Sequence, residues 1–257
     1  MALLRCDFFS ETLGLSTSMT VILPQQTSQQ IGMTGTTSDL PPVLYLLHGL
    51  TDDDTIWARR TSIERYAAPL SLAVVMPQVH HSFYADEVSG LPFWTFLSQE
   101  LPEIVSRFFR VSDRREDTFV AGLSMGGYGA MKWALREPGR FAAAASMSGA
   151  LAVSHPSERA EPDFARLMQR VFGDGPTDGT SDDVIHLVRT SDPQTLPQLY
   201  VACGTDDFLY PANDWFAQEA AASHVPLTVR FGPGDHDWDY WDAQIQDVLA
   251  WLPLAHR

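Results

Sequence analysis

Cysteine, basic residues and long apolar runs are scarce in this chain of 257 residues. The two cysteines, Cys6 and Cys203, cannot build a disulfide scaffold, and each lies in an apolar, strand-like run, so we expect buried free thiols. Lysine and arginine together number 17 against 32 acidic residues, which gives a formal net charge of −15. Such a chain lacks the basic surface of a nucleic-acid-binding protein and should be repelled by anionic membranes. No apolar run approaches the length of a membrane-spanning helix, and residues 1–7 lack the basic and apolar parts of a signal peptide, so we expect a soluble cytoplasmic protein.

The remaining composition is that of an ordinary globular protein, with 45% hydrophobic and 19% charged residues. The length allows one large domain with a well-buried core. Strand-like and helix-like patterns alternate along the chain, and we find no internal repeat and no linker. We therefore predict a single α/β domain over residues 1–257, built on a doubly wound, mostly parallel sheet.

Apolar or alternating segments predict strands at 3–10, 19–23, 43–47, 72–76, 118–121, 141–147, 199–203 and 227–231. The first two should form an antiparallel pair at the edge of the sheet, whereas the continuous apolar run 43–47 is typical of an interior parallel strand. Helical spacing predicts helices at 61–69, 93–109, 125–135 and 213–222, and a final helix that carries apolar residues from Trp241 to Leu252 on one face.

The segment Gly122-Leu123-Ser124-Met125-Gly126 matches the Gly-x-Ser-x-Gly pattern of a nucleophile elbow. An apolar strand precedes it and a helix rich in Ala, Met and Leu follows, so the chain must reverse within a few residues. Such a turn holds the serine hydroxyl outward in a strained backbone conformation, and it leaves no room for a Cβ two positions before or after the serine. The free N–H groups of the helix N-terminus face the place where negative charge would develop. The pattern predicts Ser124 as a nucleophile.

Candidate partners of the serine follow two later strands. Asp206 and Asp207 come just after 199–203, and His236 lies in the turn-rich loop between the last strand and the last helix. The carboxyl ends of parallel strands meet at one edge of a sheet, so these side chains should converge there on Ser124. We expect His236 to act as the base. Neighbouring side chains diverge, so only one aspartate can reach the histidine; we prefer Asp207 and keep Asp206 as the alternative. The chain order serine, acid, histidine is that of the α/β hydrolases.

The predicted strand 43–47 ends in His48-Gly49-Leu50. In serine hydrolases of this architecture, such a loop supplies a backbone N–H to the oxyanion hole, which we assign to the N–H groups of Leu50 and Met125. His48 itself is interpreted as a structural hydrogen-bonding residue. The run from Asp52 to Asp54 is interpreted as a solvated loop, because three consecutive carboxylates cannot all face one metal ion.

Residues 151–196 interrupt the alternation of strands and helices. Helix-like pieces at 164–172 and 182–188 are separated by Gly, Pro and Asp. In an α/β hydrolase, this interval is where a cap is inserted, and caps shape the acyl pocket. We expect a small cap here; the alternative is a surface excursion without a role in catalysis.

Several blocks together resemble the tributyrin esterase family, within the wider esterase D group that includes S-formylglutathione hydrolases. They are Tyr45-Leu46-Leu47-His48-Gly49-Leu50, Val75-Met76-Pro77, Gly122-Leu123-Ser124-Met125-Gly126-Gly127-Tyr128-Gly129-Ala130, Cys203-Gly204-Thr205-Asp206-Asp207-Phe208-Leu209-Tyr210 and His236-Asp237-Trp238. The family's acid directly precedes Phe-Leu, which maps to Asp207. The resemblance implies the α/β-hydrolase fold and a serine carboxylesterase that hydrolyses short-chain acyl esters without a cofactor or a metal.

Other functions remain open at this stage. An S-formylglutathione thioesterase would use the same three side chains, with Arg59 and Arg60 as the obvious cationic pair for an anionic substrate. Some relatives accept cinnamoyl (feruloyl) esters, and acyl transfer to an alcohol acceptor is a further alternative. A catalytically silent binding module is disfavoured, because such proteins usually lose the serine, the histidine or an elbow glycine. The expected partner is a small-molecule ester, and both a monomer and a homo-oligomer fit the sequence.

Overall fold

The computed structural model describes residues 1–25, 40–153, 162–175 and 177–254. Within these residues the strands are β1 (Ala2–Ser10), β2 (Leu15–Leu23), β3 (Val43–Leu47), β4 (Ala73–Pro77), β5 (Thr118–Leu123), β6 (Ala143–Met147), β7 (Gln198–Gly204) and β8 (Leu227–Gly232). They form one sheet in the order β1-β2-β4-β3-β5-β6-β7-β8. β2 runs antiparallel to both of its neighbours, β1 and β4, and every other pair is parallel. The predicted mostly parallel sheet with an antiparallel pair at its edge is confirmed.

The helices are α1 (Ile56–Arg60), α2 (Ile63–Ala67), α3 (Phe93–Thr95), α4 (Leu101–Phe108), α5 (Met125–Arg136), α6 (Pro162–Phe172), α7 (Val184–Thr190), α8 (Tyr210–Ala222) and α9 (Trp238–Trp251). A wider π-helical turn, Phe96–Glu100, joins α3 to α4, so the helix predicted over 93–109 is present but irregular. Across the described ranges, no helix combines the length and the apolar character that crossing a bilayer requires.

Interior strands are buried on both faces, which explains their continuous apolar sequences. In β3, alternate side chains enter two separate clusters. Tyr45 packs against Trp133 of α5, with ring centroids 5.2 Å apart, whereas Leu44 and Leu46 lie on the other face with Trp57 of α1. Helices therefore cover both faces of the sheet. The loops that follow the strands lie at the edge formed by the strand ends.

The helix predicted over 61–69 is confirmed over most of its length: α2 continues as a 3-10 turn, Ala68–Leu70, and only Thr61 and Ser62 lie outside it. The short helix α1 that precedes it was not predicted. The structure has two short helices, α1 and α2, and Thr61 between them is extended, with φ −131° and ψ 173°. The Thr61 hydroxyl donates to the Trp57 carbonyl at 2.6 Å and so caps the end of α1. This side chain-to-backbone bond competes with the continuation of the helix.

The interpretation of 52–54 as a solvated loop is wrong for Asp54. Its side chain is buried and accepts hydrogen bonds from the hydroxyls of Ser18, at 3.0 Å, and Thr20, at 2.8 Å. These two β2 residues satisfy the carboxylate, which removes most of the cost of burying it. Asp54 therefore ties the loop after β3 to β2.

Both cysteines are free thiols. Cys203 is buried, as predicted, but Cys6 is only half-buried, because β1 is the outermost strand. Burial raises the pKa of both thiols, that of Cys203 to about 12.

The segment 151–196 contains α6 and α7; residues 154–161 and 176 of it lie outside the described residues. The C-terminal part of α6 is tied to the loop after β4, because Val88 N–H donates to the Val171 carbonyl and Ser89 N–H to the Arg170 carbonyl, both at 3.0 Å. The Asp183 side chain caps α7 and accepts from Ile185 N–H at 3.0 Å. The role of this segment as a cap stays a prediction.

Lys132 of α5 is the only lysine of the chain, and it is fully buried. Its Nζ lies 2.5 Å from Asp182 Oδ1 and donates to the Tyr84 carbonyl at 2.8 Å. The ammonium group also lies 4.9 Å from the ring centroid of Trp94, in a cation–π contact. One buried charge thus joins α5, the loop after β4 and the segment that leads into α7.

Lys132 should titrate far below an ordinary lysine. Burial lowers its pKa from 10.5 to about 8, although the Asp182 carboxylate acts in the opposite direction. Because this is the only lysine, protein labelled with ¹³C-lysine should give one side-chain Cε resonance, which should titrate near pH 8. Between pH 8 and 10.5 the unfolded chain binds a proton that the folded chain lacks, so this group's contribution to the free energy of unfolding should rise with pH.

Removal of the nearby carboxylate tests the cause. Asp182→Asn should lower the titration midpoint further, whereas Asp192→Asn, an exposed carboxylate in the same segment, should leave it unchanged. A wild-type midpoint near 10.5 would contradict the buried position of the amine.

Candidate active site

Ser124 occupies a strained position between β5 and α5. Its backbone has φ 53° and ψ −117°, a region that a residue with a side chain rarely adopts. Two hydrogen bonds hold it there: Ser124 N–H donates to the Met147 carbonyl at 2.9 Å, and Ala150 N–H donates to the Ser124 carbonyl at 3.0 Å. The end of β6 and the loop that follows it therefore bind both the N–H and the carbonyl of the serine.

Gly122 and Gly126 allow α5 to begin directly against the ends of two strands. A Cβ on Gly122 would lie 2.3 Å from the Gly126 carbonyl oxygen, and one on Gly126 would lie 2.4 Å from the Leu47 carbonyl oxygen. Both distances are far below contact, so any side chain here would push α5 away from β3 and β5. The turn therefore has the sharp geometry that the sequence pattern indicated.

The three side chains singled out in the sequence meet at the carboxyl edge of the sheet. Ser124 follows β5, Asp207 follows β7 and His236 follows β8. His236 Nε2 lies 3.1 Å from Ser124 Oγ, and Nδ1 lies 2.9 Å from Asp207 Oδ2. This network is satisfied when Nδ1–H donates to the carboxylate and Nε2 accepts from the serine hydroxyl. The imidazole is then the neutral tautomer that can take a proton from the serine.

The structure distinguishes the two aspartates that the residues alone left open. Asp207 is buried and faces His236, whereas Asp206 is exposed. Burial opposes the ionisation of Asp207, but hydrogen bonds from His236, from Leu209 N–H and from Ser148 outweigh it, so the pKa of this carboxyl lies below its ordinary value. A buried carboxylate therefore stays charged beside the imidazole.

Ser148 is a member of the site that the sequence analysis missed. It lies just after β6, it is buried, and its φ is 47°. Its hydroxyl helps to lower the pKa of Asp207 and also accepts from Trp241 Nε1 at 3.1 Å. Its position at the end of an interior strand, at the same edge as Ser124, is the signal that could have found it.

Aromatic rings hold the imidazole from two sides. Phe208 lies 4.6 Å from the His236 ring between centroids, and Trp241 lies 4.8 Å away in an edge-to-face arrangement. Trp241 also bonds to Ser148, so the same indole contacts the histidine and fixes the hydroxyl beside Asp207. The sequence analysis placed Trp241 on the core face of α9 and did not connect it with the site.

His48 is kept away from the serine by its own hydrogen bonds. It is buried; its Nδ1 lies 2.7 Å from the Gly49 carbonyl oxygen, and its Nε2 accepts from Val79 N–H at 3.2 Å. Burial lowers its pKa to about 4, so it is neutral at physiological pH. The hydroxyl of Tyr84 donates to the His48 carbonyl at 2.9 Å. These contacts agree with the interpretation of His48 as a structural residue that fixes the loop carrying Leu50.

The loop with Leu50 runs beside the nucleophile. A Cβ built on Gly49 would lie 3.8 Å from the Ser124 Cβ, so the peptide that leads into Leu50 borders the serine. Met125 is the first residue of α5, where an N–H has no acceptor within the helix. The assignment of the Leu50 and Met125 N–H groups to an oxyanion hole stays a prediction.

A cavity of about 510 Å³ lies next to residues that contact the serine and the histidine. Its lining is apolar and consists of Phe83, Ala150, Ala152, Val153, Phe164, Phe208, Leu209, Pro211, Ala212 and Trp215. Two of the lining residues contact the catalytic residues, because Ala150 N–H bonds to the Ser124 carbonyl and Phe208 packs on His236. Ala152, Val153 and Phe164 come from the segment 151–196, which therefore forms part of the wall.

Taken together, the geometry can carry out nucleophilic chemistry. A hydroxyl, an imidazole and a buried carboxylate form one hydrogen-bonded chain, with a helix N-terminus beside the hydroxyl and an apolar cavity next to it. Such an arrangement can transfer the serine proton to the imidazole as the oxygen attacks an electrophilic carbon.

Comparison with known proteins gives the chain a family. The Esterase family model ("Putative esterase") matches residues 10–252. An acetyl esterase of Caldicellulosiruptor saccharolyticus is 30% identical over 98% of both chains. Two solved structures from Staphylococcus aureus are each 36% identical over 98% of both chains: the fluorophosphonate-binding serine hydrolase FphF, with a TM-score of 0.86, and the S-formylglutathione hydrolase FrmB, with a TM-score of 0.84.

The family match spans most of the chain, and these neighbours are serine hydrolases of the predicted α/β-hydrolase fold. The resemblance to esterase D-like proteins that the sequence blocks indicated is confirmed. The chain belongs to the Esterase family of α/β-hydrolase serine hydrolases.

Proposed function

We propose that the protein is a serine carboxylesterase that hydrolyses short-chain acyl esters through an acyl-Ser124 intermediate. The observation that carries this proposal is the continuous chain of hydrogen bonds from Ser124 Oγ through His236 to Asp207. The proposed partner is a small-molecule ester and the proposed location is the cytoplasm. The proposed chemistry uses no cofactor and no metal.

In the acylation step, Ser124 Oγ attacks the ester carbonyl while His236 Nε2 takes its proton. Asp207 accepts from Nδ1–H, holds the tautomer, and stabilises the imidazolium that forms. The tetrahedral oxyanion would be held by the N–H groups of Leu50 and Met125, each contributing about 3 kcal/mol to the stability of the transition state. The imidazolium then protonates the leaving alcohol, and the acyl-Ser124 ester remains.

In the second step, His236 takes a proton from a water molecule, whose oxygen attacks the acyl carbon. The imidazolium then returns that proton to Ser124 Oγ as the carboxylic acid leaves. Asp207 remains ionised throughout, which its lowered pKa supports. The enzyme is thus regenerated with neutral His236.

The apolar cavity supports the assignment of an acyl site. A neutral acyl chain bound in this cavity would contact apolar side chains such as Phe208, Ala212 and Phe164. Because Phe164 and Val153 belong to the segment 151–196, we propose that this segment acts as a small cap that shapes the acyl site.

A second candidate is hydrolysis of S-formylglutathione, which the 36% identity to FrmB favours. Glutathione conjugates are anionic, whereas the cavity lining is apolar and Arg59 is engaged with Asp53 at 3.1 Å. We therefore place the ester first. The rates of p-nitrophenyl acetate, butyrate and octanoate, a feruloyl ester and S-formylglutathione, compared under one condition, decide between the candidates.

Ser124→Ala should lower kcat/KM for p-nitrophenyl acetate by at least about 10³-fold, because the nucleophile is lost. A fluorophosphonate should label the wild type and leave the variant unlabelled. Circular dichroism and Tm should match those of the wild type. Retention of more than a few per cent of the activity in a folded variant would refute the assignment.

The two neighbouring aspartates provide a matched pair. Asp207→Asn should reduce kcat by about 10³-fold or more, because the amide cannot hold the imidazole in the required tautomer. Asp206→Asn should change kcat only slightly, since its carboxylate is exposed. Steady-state kinetics with p-nitrophenyl acetate measure both, and the reverse ranking would move the acid to Asp206.

The acyl site can be tested by filling it. Ala212→Phe should lower kcat/KM for p-nitrophenyl butyrate about tenfold more than for the acetate, because two buried methylenes are each worth about 0.8 kcal/mol. Ala221→Phe, an exposed position on the same helix α8, is the control and should not separate the two esters. An equal effect on both esters would argue that the acyl chain lies elsewhere.

A further inference from the structure

The outer edge of the sheet is a long, exposed strand. β1 is the first strand in the sheet order and has nine residues, and in the described part of the chain it pairs only with β2. Edge strands of this length present a row of unpaired backbone groups and are usually shortened, bulged or covered. In the described ranges the register from Ala2 to Ser10 shows no bulge.

The hydrogen-bond pattern identifies which residues of β1 face outward. Gln78 N–H donates to the Ser18 carbonyl, so the backbone N–H and carbonyl of Ser18 point toward β4. Pro77, the β4 residue opposite Met19, has no N–H and cannot donate to Met19. In an antiparallel sheet, successive residues of a strand direct their backbone hydrogen-bonding groups to opposite neighbours. The backbone groups of Met19 therefore point toward β1, where its partner is Cys6. The backbone groups of the residues on either side of Cys6, which are Arg5 and Asp7, therefore point away from the sheet.

Exposed apolar side chains concentrate along the same edge. Of the seven large apolar side chains that the described residues expose, three lie on β1: Leu3 at 54%, Leu4 at 36% and Phe9 at 55%. A fourth, Phe108 of α4, lies against the edge through an aromatic contact with Phe8, with centroids 6.4 Å apart. Leu3 and Phe9 lie on one face of β1 and Leu4 on the other, so both faces of this edge offer apolar side chains to a partner.

The charges of β1 are complementary to a copy of themselves. Arg5 and Asp7 are exposed, and they lie on the same face with their side chains 3.3 Å apart. If a second β1 runs antiparallel about a two-fold axis at Cys6, Arg5 faces Asp7 of the partner subunit. By the same symmetry, Asp7 faces Arg5 of the partner subunit. The same register sets Leu3 opposite Phe9 of the partner subunit, so apolar residues flank the four charges.

We propose that β1 pairs antiparallel with β1 of a second copy of this chain and joins two eight-stranded sheets into one of 16 strands. The hydrogen-bonded pairs of this interface are the outward-facing ones, Arg5 with Asp7 of the partner subunit and Leu3 with Phe9 of the partner subunit. A two-fold interface must be self-complementary, and this register satisfies the backbone, the charges and the apolar side chains together. The proposal does not depend on the proposed esterase activity.

Cys6 would lie on the two-fold axis, in a non-hydrogen-bonded pair with Cys6 of the partner subunit. The Cα atoms of such a pair are about 4.5 Å apart, within the range that a disulfide can bridge. Two thiols would give up two protons and two electrons to an added oxidant such as diamide and form one S–S bond. Cross-linking through Cys6 therefore reports the register.

Charge reversal with rescue tests the interface. In 0.15 M salt, where charges separated by more than about 8 Å are screened, light scattering of the full chain should give a dimer. Either Arg5→Asp or Asp7→Arg alone places like charges opposite each other in both symmetry-related pairs of the interface. Each change should therefore raise the dimer Kd by about tenfold or more. The double variant R5D/D7R restores opposite charges at both positions and should restore the dimer. The single variants should keep the circular dichroism spectrum of the wild type, which shows that they fold.

Cross-linking gives the second readout. In a Cys203→Ser background, diamide should convert most of the protein to a covalent dimer, and Arg5→Asp should suppress this product. A monomer at 100 µM, a dimer that neither single reversal weakens, a double variant that fails to recover, or the lack of the Cys6 cross-link would each overturn the proposal.

Discussion

The close approach of α5 to the ends of β3 and β5 is the constraint on which the site depends. It exists because Gly122 and Gly126 have no Cβ. A Cβ on these residues would lie 2.3 and 2.4 Å, respectively, from a backbone carbonyl oxygen, which is far below the usual contact distance. The same turn forces Ser124 to a positive φ, and hydrogen bonds with Met147 and Ala150 keep it there. A strained residue persists only where its surroundings over-determine it, and here the strands, the helix and the loop after β6 all fix the serine.

The electrostatics of the site follow from one buried carboxylate. Asp207 receives hydrogen bonds from the His236 ring and Leu209 N–H, and the Ser148 hydroxyl stabilises it further. Trp241 links Ser148 to the histidine, because its N–H bonds to the hydroxyl and its ring lies against the imidazole. The carboxylate is therefore held ionised by groups that also position the ring, so charge and orientation are maintained by the same contacts.

How much the sequence could predict depends on whether a feature is local. The run Val43–Leu47 was assigned correctly because burial on both faces leaves a continuous apolar pattern. The same reasoning placed the start of β2 at residue 19, whereas the strand begins at Leu15, because the polar residues 16–18, which pair with β1, interrupt the apolar pattern. The burial of Asp54 was missed because its partners lie more than 30 positions away.

The candidate site shows the same division. The elbow and the order of the three side chains could be predicted, because a motif and the ends of strands locate them. The choice between two adjacent aspartates could not be derived from the residues alone, since only the folded chain decides which one faces His236. The end of a strand marks the position of Ser148, but its contact with Asp207 and the aromatic contacts of the imidazole depend on tertiary packing between distant segments.

The burial of Lys132 has a consequence for the chemical behaviour of the whole surface. Since it is the chain's single lysine and it lies fully inside, the folded protein displays no ε-amino group. Activated esters and thioesters acylate exposed amines without any catalyst. A protein in contact with such compounds would slowly be acylated on its surface lysines. Here the ammonium is held between a carboxylate and a carbonyl, so such spontaneous aminolysis can reach only the terminal amine.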